Sequence, residues 1–537
     1  EYLIEKIPEN IILRYEKSIN NEELLLKSLA LIENGIYDDA SQILENILKR
    51  DIDNVDARIA LSMSYYKKFH ADENHNREFL EMASNSLNEL FRLNRKNRHS
   101  IILKSLILTE FYENFSVNNI KFMKEIIPDI DSIFALYPNF SHGHYVKSKV
   151  LYDISIEEND HNAETIYLNG SMDEINKAIS VFPLYGEFIF QKFKIEKRLV
   201  QKGMNFEKNL KDAYENLNFF FDENNINHIK EKHDLYLILY ENGMKIGNEN
   251  LEEELNKIEE TLKSRNKIFY ISGKLKRLYI EYKKFNKTDI LNESENLISE
   301  GISSNIKEHE FLEYSIKVFY EIYKISNREK KKEIYEKIEE LTSIYNINKV
   351  NKIIIFINTA IKIYENMVNS IEEIKGSVEK IKYGLEDKYY RIDAIKILSI
   401  LYISLYRNSP GKEKIQYLDE AIKYAEIYLK EDNSNPYAYY NYINKLFDRF
   451  EYSKDIQILN QIENVLNQAI KNFSEDPYIL SSMGLYYLYR YNSTRNREEK
   501  KKNITLAKEY FEKALSKNPG FEIALKNLQN INNMKIR

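Results

Sequence analysis

Small residues return along this chain at one place within a recurring helical pattern, and that recurrence limits what the chain can fold into. Near the C-terminus Leu480, Met483, Gly484 and Tyr487 lie at spacings that put them on one face of a helix. After a polar interruption Ala507, Phe511 and Ala514 form a second such face, and Pro519 stops that helix because proline cannot continue one. The N-terminal part shows the same unit. Leu24, Ser28 and Leu31 predict a first helix, Gly35, Ile36 and Tyr37 a turn, and Ala40, Leu44 and Ile47 a second helix. Thirty-four residues after Leu24 comes Arg58, which with Leu61, Ser62 and Tyr65 opens the next unit. Ile101, Ser105 and Leu108 open a third, whose second helix is predicted to end at Pro138. His144, Ser148 and Leu151 open a fourth, whose second helix carries Ala178 and ends at Pro183. Farther on, Ala421, Ala425 and Tyr428 mark a second helix, Pro436, Tyr439 and Ile443 a first one, and Ile462, Leu466 and Ala469 another second one before Pro477 begins the last full unit. Ser62, Ser105, Ser148 and Gly484 all take the eighth place of their units, where a small side chain lets two helices approach closely.

This order of a large apolar residue, a small residue, A-x3-F and a closing proline resembles the tetratricopeptide (TPR) pattern W-x2-L-G-x2-Y…A-x3-F…P, with Leu480 in place of its first aromatic. The resemblance covers roughly residues 21–200 and 410–530, with insertions at Asp72–Arg77 and Tyr491–Lys501. It implies an all-α fold, an α-solenoid of antiparallel helix pairs wound into a superhelix. In such proteins the first helices line a concave groove, and positions 2, 5, 9, 12 and 13 of each unit point into it. The resemblance places Tyr66, Lys67, Tyr145, Lys149 and Tyr152 there in the early units, and Tyr437, Tyr440, Asn444, Tyr478 and Tyr489 in the late ones. Tyrosines suit such a groove because they offer rigid contact area and a polar tip at low entropic cost; the competing view is that they are partly exposed packing residues. Some TPR proteins grip a C-terminal carboxylate with Lys and Asn at positions 5 and 9. Here Asn444 matches, but Tyr440, Tyr478 and Ser482 stand where cations belong, so an extended or helical peptide is the expected partner.

Composition agrees with helix after helix. The 537 residues include 14 Gly and 8 Pro, with no proline between Pro183 and Pro410. A solenoid also escapes the size limit on a single core, because each repeat touches only its neighbours. The expected organisation is a lead-in helix over 1–20, TPR-like repeats over 21–204, degenerate helical repeats or a helical insert over 205–405, and TPR-like repeats with a capping helix over 406–537. In the centre Leu251, Leu255, Ile258 and Leu262 line one helical face, and Ile334, Ile338 and Leu341 another, while Arg328–Lys332 reads as a solvated helix start. The cap carries Ile523 and Leu528 beside polar Gln529 and Asn530. The abundance of Tyr (42), Asn, Lys and Ile, with no Trp, fits a genome rich in A and T.

No pattern supports catalysis. The net charge of −6 gives no global drive towards nucleic acid or an anionic membrane, and the absence of Cys removes disulfide and thiol chemistry. The longest apolar run, Ile353–Ile357, is too short to span a bilayer. His142 and His144, and His70 and His75 near Asp72 and Glu73, lack a recognised metal-ligand spacing. Asp222–Asn227 lacks the glycine and glutamate of a calcium loop. Arg92, Arg95, Lys96 and Arg98 are read as helix-terminal cations rather than a phosphate patch, and Glu252–Glu254 as surface charge. No cofactor or metal is expected. The functional expectation is a non-enzymatic scaffold from a bacterium that holds a protein or peptide, at the cell envelope in preference to the cytoplasm, since a chain without Cys that begins at Glu1 suits a removed signal or anchor. The competing expectations are a peptide-sensing regulator that changes superhelical pitch and an enzyme with a site hidden in residues 205–405. Partner identity and oligomeric state are not encoded legibly.

Overall fold

In the computed structural model, residues 20–72, 76–115, 120–158, 160–244, 250–345, 351–411 and 413–533 are described. The lead-in helix expected over 1–20 and the residues Glu73 and His75 lie outside them, apart from Asn20. Among the described residues there are 25 α-helices and no strand. They follow one another as antiparallel pairs: α1 (Asn21–Glu33) with α2 (Tyr37–Arg50), α3 (Val55–Ala71) with α4 (Arg77–Arg92), α5 (Arg98–Phe115) with α6 (Ile120–Leu136), and α7 (Ser141–Glu157) with α8 (His161–Val181). Next come α9 (Gly186–Gln201) with α10 (Phe206–Phe220), α11 (Ile226–Glu241) with α12 (Leu251–Arg265), α13 (Lys267–Phe285) with α14 (Thr288–Ser303), and α15 (His309–Ile325) with α16 (Arg328–Tyr345). The last are α17 (Lys352–Tyr364) with α18 (Ile371–Ile381), α19 (Arg391–Asn408) with α20 (Glu413–Glu431), α21 (Pro436–Ser453) with α22 (Ile456–Asn472), and α23 (Pro477–Ser493) with α24 (Arg497–Lys517), before the final α25 (Glu522–Asn533).

The chain packs as two units. Among the described residues, one comprises those within 20–284 and 292–311, and the other those within 285–291, 312–344 and 351–533. In the first unit the helices from α1 to α10 each pack on the next, α11 packs on α12, and first helices also touch one another: α1 with α3, α3 with α5, α5 with α7, and α7 with α9. In the second unit α21 touches α23, and α23 touches α25, in the same way. Over α1–α9 and α21–α25 the first helices therefore form the more closely spaced layer. This is an all-α, TPR-like α-solenoid architecture. The 34-residue spacing is found once. First helices begin at residues 21, 55, 98, 141, 186, 226, 267, 309, 352, 391, 436 and 477, so later pairs recur after 39–45 residues. Longer helices account for most of the difference, and longer connections for it in the pair α17 and α18.

Asparagine starts and stops many of these helices. Asn20, Asn54, Asn76, Asn225, Asn250, Asn351, Asn435 and Asn496 accept backbone N–H groups as N-caps, each worth about 1 kcal/mol over alanine. Asn94, Asn205, Asn286, Asn305 and Asn366 adopt positive φ, as does Gly35. After α4, Arg95 N–H bonds Leu90 O and Asn94 N–H bonds Phe91 O, the doubled closure that satisfies a helix's last carbonyls. The high asparagine content thus has a structural use beyond codon bias.

The small residues do what their place suggests. Ser28, Ser62, Ser105 and Ser148 are fully buried. Ser62 Oγ donates to Ala83 O at 2.8 Å, and Ser148 Oγ to Ser171 O at 2.9 Å, so the hydroxyls also bond across the crossing. At Gly484 a Cβ would stand 2.8 Å from the Phe511 ring. The second helices share a buried stripe of three residues spaced by four and then three: Ala40, Leu44 and Ile47 in α2; Ala83, Leu87 and Leu90 in α4; Ile334, Ile338 and Leu341 in α16; Ile374, Val378 and Ile381 in α18; Ala507, Phe511 and Ala514 in α24. α6 ends at Leu136, just before Pro138, but it also carries Pro128 in its interior. On α25, Ala524 and Ile531 are buried, and Ile523 and Leu528 pack partly against the same cluster.

Candidate partner-binding surface

The ten groove residues fall into two sets, one in each unit, and the sets differ in character. In the first unit they belong to a chain of ion pairs that runs along the first helices. Lys149 on α7 lies 3.2 Å from Glu113 and 3.8 Å from Glu110 on α5. Tyr66 on α3 donates to Glu110 Oε1 at 3.4 Å. Lys194 on α9 reaches Glu113 at 2.8 Å, and its ammonium lies over the Tyr152 ring. Lys197 pairs with Glu231 and Asp234 on α11; Lys276 on α13 joins Asp234 at 2.6 Å to Glu310 at 2.8 Å. Lys67 is paired with Glu33 at 2.6 Å. Lys149 and Tyr152 are each only 9% exposed, and Tyr145 packs its ring 5.2 Å from Phe188. Burial would raise the Glu113 carboxyl, but the Lys149 and Lys194 ammoniums outweigh it and hold it at about 2. Burial also lifts Tyr145 to about 12. Asp153, one turn beyond Lys149, is 1% exposed, and its Oδ2 has no hydrogen-bond partner. Burial first and the Glu113 charge second hold this carboxyl well above the usual range.

The second set is open. Tyr437 and Tyr440 on α21 are half-buried, and Tyr478 at the start of α23 is 37% exposed. Their rings meet edge to face: Tyr440 lies 4.9 Å from Tyr478, Tyr437 lies 6.0 Å from Tyr478, and Tyr478 lies 5.0 Å from Phe521 ahead of α25. Lys396 of α19 stands over the Tyr437 ring. Among the described residues no hydrogen bond engages the hydroxyl of Tyr437 or Tyr478, while Asn444 serves that of Tyr440. Tyr489 differs, since its hydroxyl donates to Glu451 and its ring stacks 4.8 Å from Phe447. The prolines at N1 of α21 and α23, each behind an Asn or Asp cap, fix where Tyr437 and Tyr478 leave the backbone.

The remaining sequence candidates have structural partners. His144 lies between Glu174, 2.6 Å from Nδ1, and Pro138 O, 2.9 Å from Nε2, and stacks on Phe134. Arg92 pairs with Glu89, Arg95 with Asp53 at 2.7 Å and Lys96 with Asp129 at 2.5 Å, while Arg98 covers Tyr137. Asp222 caps a turn by accepting from Asn224 N–H, and Asn225 caps α11. Among the described residues no group of three or more His, Asp and Glu side chains converges on a metal position, and no helix is long and apolar enough to cross a membrane. Sequence reasoning missed Lys445, 8% exposed on α21, which donates to Asn441; burial lowers it to about 8. It also missed Glu196, 1% exposed on α9, which burial raises to about 7. The available signal was a charge at a place the pattern reserves for apolar residues.

No family model matches the sequence, and no curated protein matches it. Solved structures similar to it include the Cut9–Hcn1 hetero-tetramer of APC/C, at 12% identity over 98% of this chain and 99% of that one, with a TM-score of 0.35. Naa15/Naa10 bound to HypK-THB aligns at 11% identity over 98% and 92%, with a TM-score of 0.28. The human IFIT1 dimer with PPP-AAAA aligns at 11% over 95% and 93%, with a TM-score of 0.27. The helical-repeat assignment rests on the chain's own packing.

Proposed function

We propose that this chain is a non-enzymatic scaffold that holds a protein or peptide on the layer of first helices, and that the contact centres on Tyr437, Tyr440 and Tyr478. One observation carries the reading: three adjacent aromatic rings on neighbouring first helices are partly exposed, and two of their hydroxyls are uncommitted. Such a surface offers rigid contact area with a polar edge, which suits an extended peptide backbone. The first unit's Lys67, Lys149 and Tyr66 are engaged with Glu33, Glu110 and Glu113, so a partner there would have to break ion pairs already made. The central helices are read as further pairs of the same kind, supported by the stripes of α16 and α18. Residence at a bacterial cell envelope is part of the proposal; it rests on the cysteine-free composition and is tested by fractionating the source cells.

The test uses photo-crosslinking residues placed at Tyr440 and Tyr478, and at exposed Ile166 on α8 as a control. A partner captured from both tyrosine positions and lost on Tyr437→Ala/Tyr440→Ala/Tyr478→Ala supports the proposal. Capture at Ile166 alone, or capture unchanged in the triple variant, refutes it. Tyr145→Ala and Tyr152→Ala are poor probes because both rings belong to the packed core.

A further inference from the structure

Counted from its first residue, eight of the twelve first helices put a large buried apolar side chain at the eleventh position: Leu31, Tyr65, Leu108, Leu151, Tyr236, Phe319, Leu401 and Leu446; α23 has half-buried Tyr487 there and α17 an exposed Lys362. The remaining two, α9 and α13, place a buried charge there. In α13 it is Arg277, which is fully compensated by Glu281 at 2.7 Å, Glu259 at 3.3 Å and Asn256 at 2.7 Å. In α9 it is Glu196, and its compensation is incomplete. Asn216 donates to Oε2 at 2.7 Å, whereas at Oε1 the nearest cation, Lys192 Nζ, stands 3.8 Å away. A buried carboxylate left this way costs stability, and a stack that gains nothing from it would keep the apolar residue that most of its first helices use.

Glu196 also lines a cavity of about 240 Å³ between α8, α9 and α10. That is room for roughly eight water molecules at about 30 Å³ each, or for a small organic molecule of similar heavy-atom count. The walls have three kinds of surface. Glu196 and Asp212 supply carboxylates, Lys192 and Lys208 supply ammoniums, and Met172, Leu199 and Met204 supply an apolar side. Asn209, 9% exposed, gives its Nδ2 to Met204 O at 2.7 Å, which leaves its carbonyl oxygen for a ligand donor. The turn that presents Met204 and Asn205 is held by positive φ at Gly203 and Asn205.

We propose that this cavity binds a free aliphatic α-amino acid, with its ammonium on Glu196 and Asp212, its carboxylate on Lys192 and Lys208, and its side chain against Met172, Leu199 and Met204. Both charges of a zwitterion meet their opposites, and the third wall takes the apolar chain. An ammonium beside Glu196 supplies the cation that Lys192 provides only at a distance, and it frees Lys192 for the ligand's carboxylate. The raised Glu196 carboxyl fits this arrangement, because burial outweighs the help it now receives from Asn216 and Lys192. This site belongs to the first unit and the tyrosine surface to the second, and its failure would leave the scaffold proposal untouched.

Titration calorimetry of the full chain with L-leucine, L-valine and L-methionine tests it. Saturable binding is expected for at least one of them. Binding should fall about tenfold or more in Glu196→Gln, as expected for loss of one charge-assisted hydrogen bond. Isoamylamine, which lacks the carboxylate, and 4-methylpentanoate, which lacks the ammonium, should each bind more weakly by a similar factor. Should Glu196→Gln not fold, Lys208→Ser on the exposed rim serves instead and should weaken leucine but not isoamylamine. No saturable binding of any of the three amino acids, equal binding of isoamylamine, or unchanged binding in Glu196→Gln would overturn the assignment and leave a water-filled cavity.

Discussion

Glu196 makes the sharpest prediction, because its cost can be measured without a ligand. Its carboxyl ordinarily titrates at 4.5 and is raised to about 7 in the folded chain, burial being the main cause. The folded state therefore holds the proton more tightly than the unfolded state. Sign follows directly: the folded chain pays no penalty below the unfolded value, and loses stability progressively as pH rises from 4.5 to about 7. Above that the loss is complete. At 1.36 kcal/mol per unit the full penalty is about 3 kcal/mol. Glu196→Gln removes it while keeping an oxygen for Asn216. The variant should match wild type at pH 4.5 and exceed it by about 2–3 kcal/mol at pH 8.5. Urea unfolding followed by circular dichroism at both pH values reads this, with hydrogen exchange of α9 amides locating the gain. Equal differences at the two pH values, or a variant less stable at pH 8.5, would refute the reasoning. The first result would mean that Glu196 is solvated and titrates normally.

Three further outcomes are expected. Asp153→Asn should stabilise the chain at pH 7 and leave it unchanged at pH 3, because its carboxyl is also raised by burial and the neutral amide removes that penalty; the same unfolding assay reads it. Gly484→Ala should destabilise by about 1–2 kcal/mol, since overpacking against Phe511 exceeds the helix propensity gained. Gly376→Ala on α18, where a Cβ meets nothing within 4 Å, should instead stabilise by about 0.5–1 kcal/mol.

What the sequence showed and hid follows from which side chains carry the repeat. Ser28, Ser62, Ser105 and Ser148 stand eighth in α1, α3, α5 and α7, and their size alone exposes the pattern to inspection. In α9 and α11 the eighth residues are Phe193 and His233, and in α15, α19 and α21 they are Ile316, Leu398 and Ile443. In α13 and α19 a small residue stands one place to either side instead. Gly273 is seventh in α13, and a Cβ on it would stand 2.8 Å from the His233 ring; fully buried Ser399 is ninth in α19. A reading anchored on the eighth place loses the pattern where packing moves the small residue by one. The apolar stripe of the second helices does not move. Ile334, Ile338 and Leu341 were legible as a helical face, yet apolar residues at helical spacing fit many helices, so that face could not identify a repeat by itself.

The candidate surface divides along the same line. Which residues sit on first helices follows from periodicity, so Tyr66, Lys149, Tyr437 and Tyr478 could be chosen by place. Whether each one faces a partner or another side chain depends on residues some 30–45 positions away, in the next helix pair. Glu110 and Glu113 claim Tyr66 and Lys149, whereas the rings opposite Tyr437 are Tyr440 and Tyr478, which pack without consuming its hydroxyl. On the proposed reading, a tyrosine at a groove position is left for a partner when its neighbours on adjacent first helices are aromatic rather than acidic. Transplanting that rule into the first unit gives its own check. Glu110→Phe should release the Tyr66 hydroxyl and weaken the hold on Lys149, which remains 3.2 Å from Glu113. Crosslinking from position 66 should then capture a partner that the wild-type chain does not, and capture equal to wild type would show that exposure rather than hydrogen-bond commitment governs the surface.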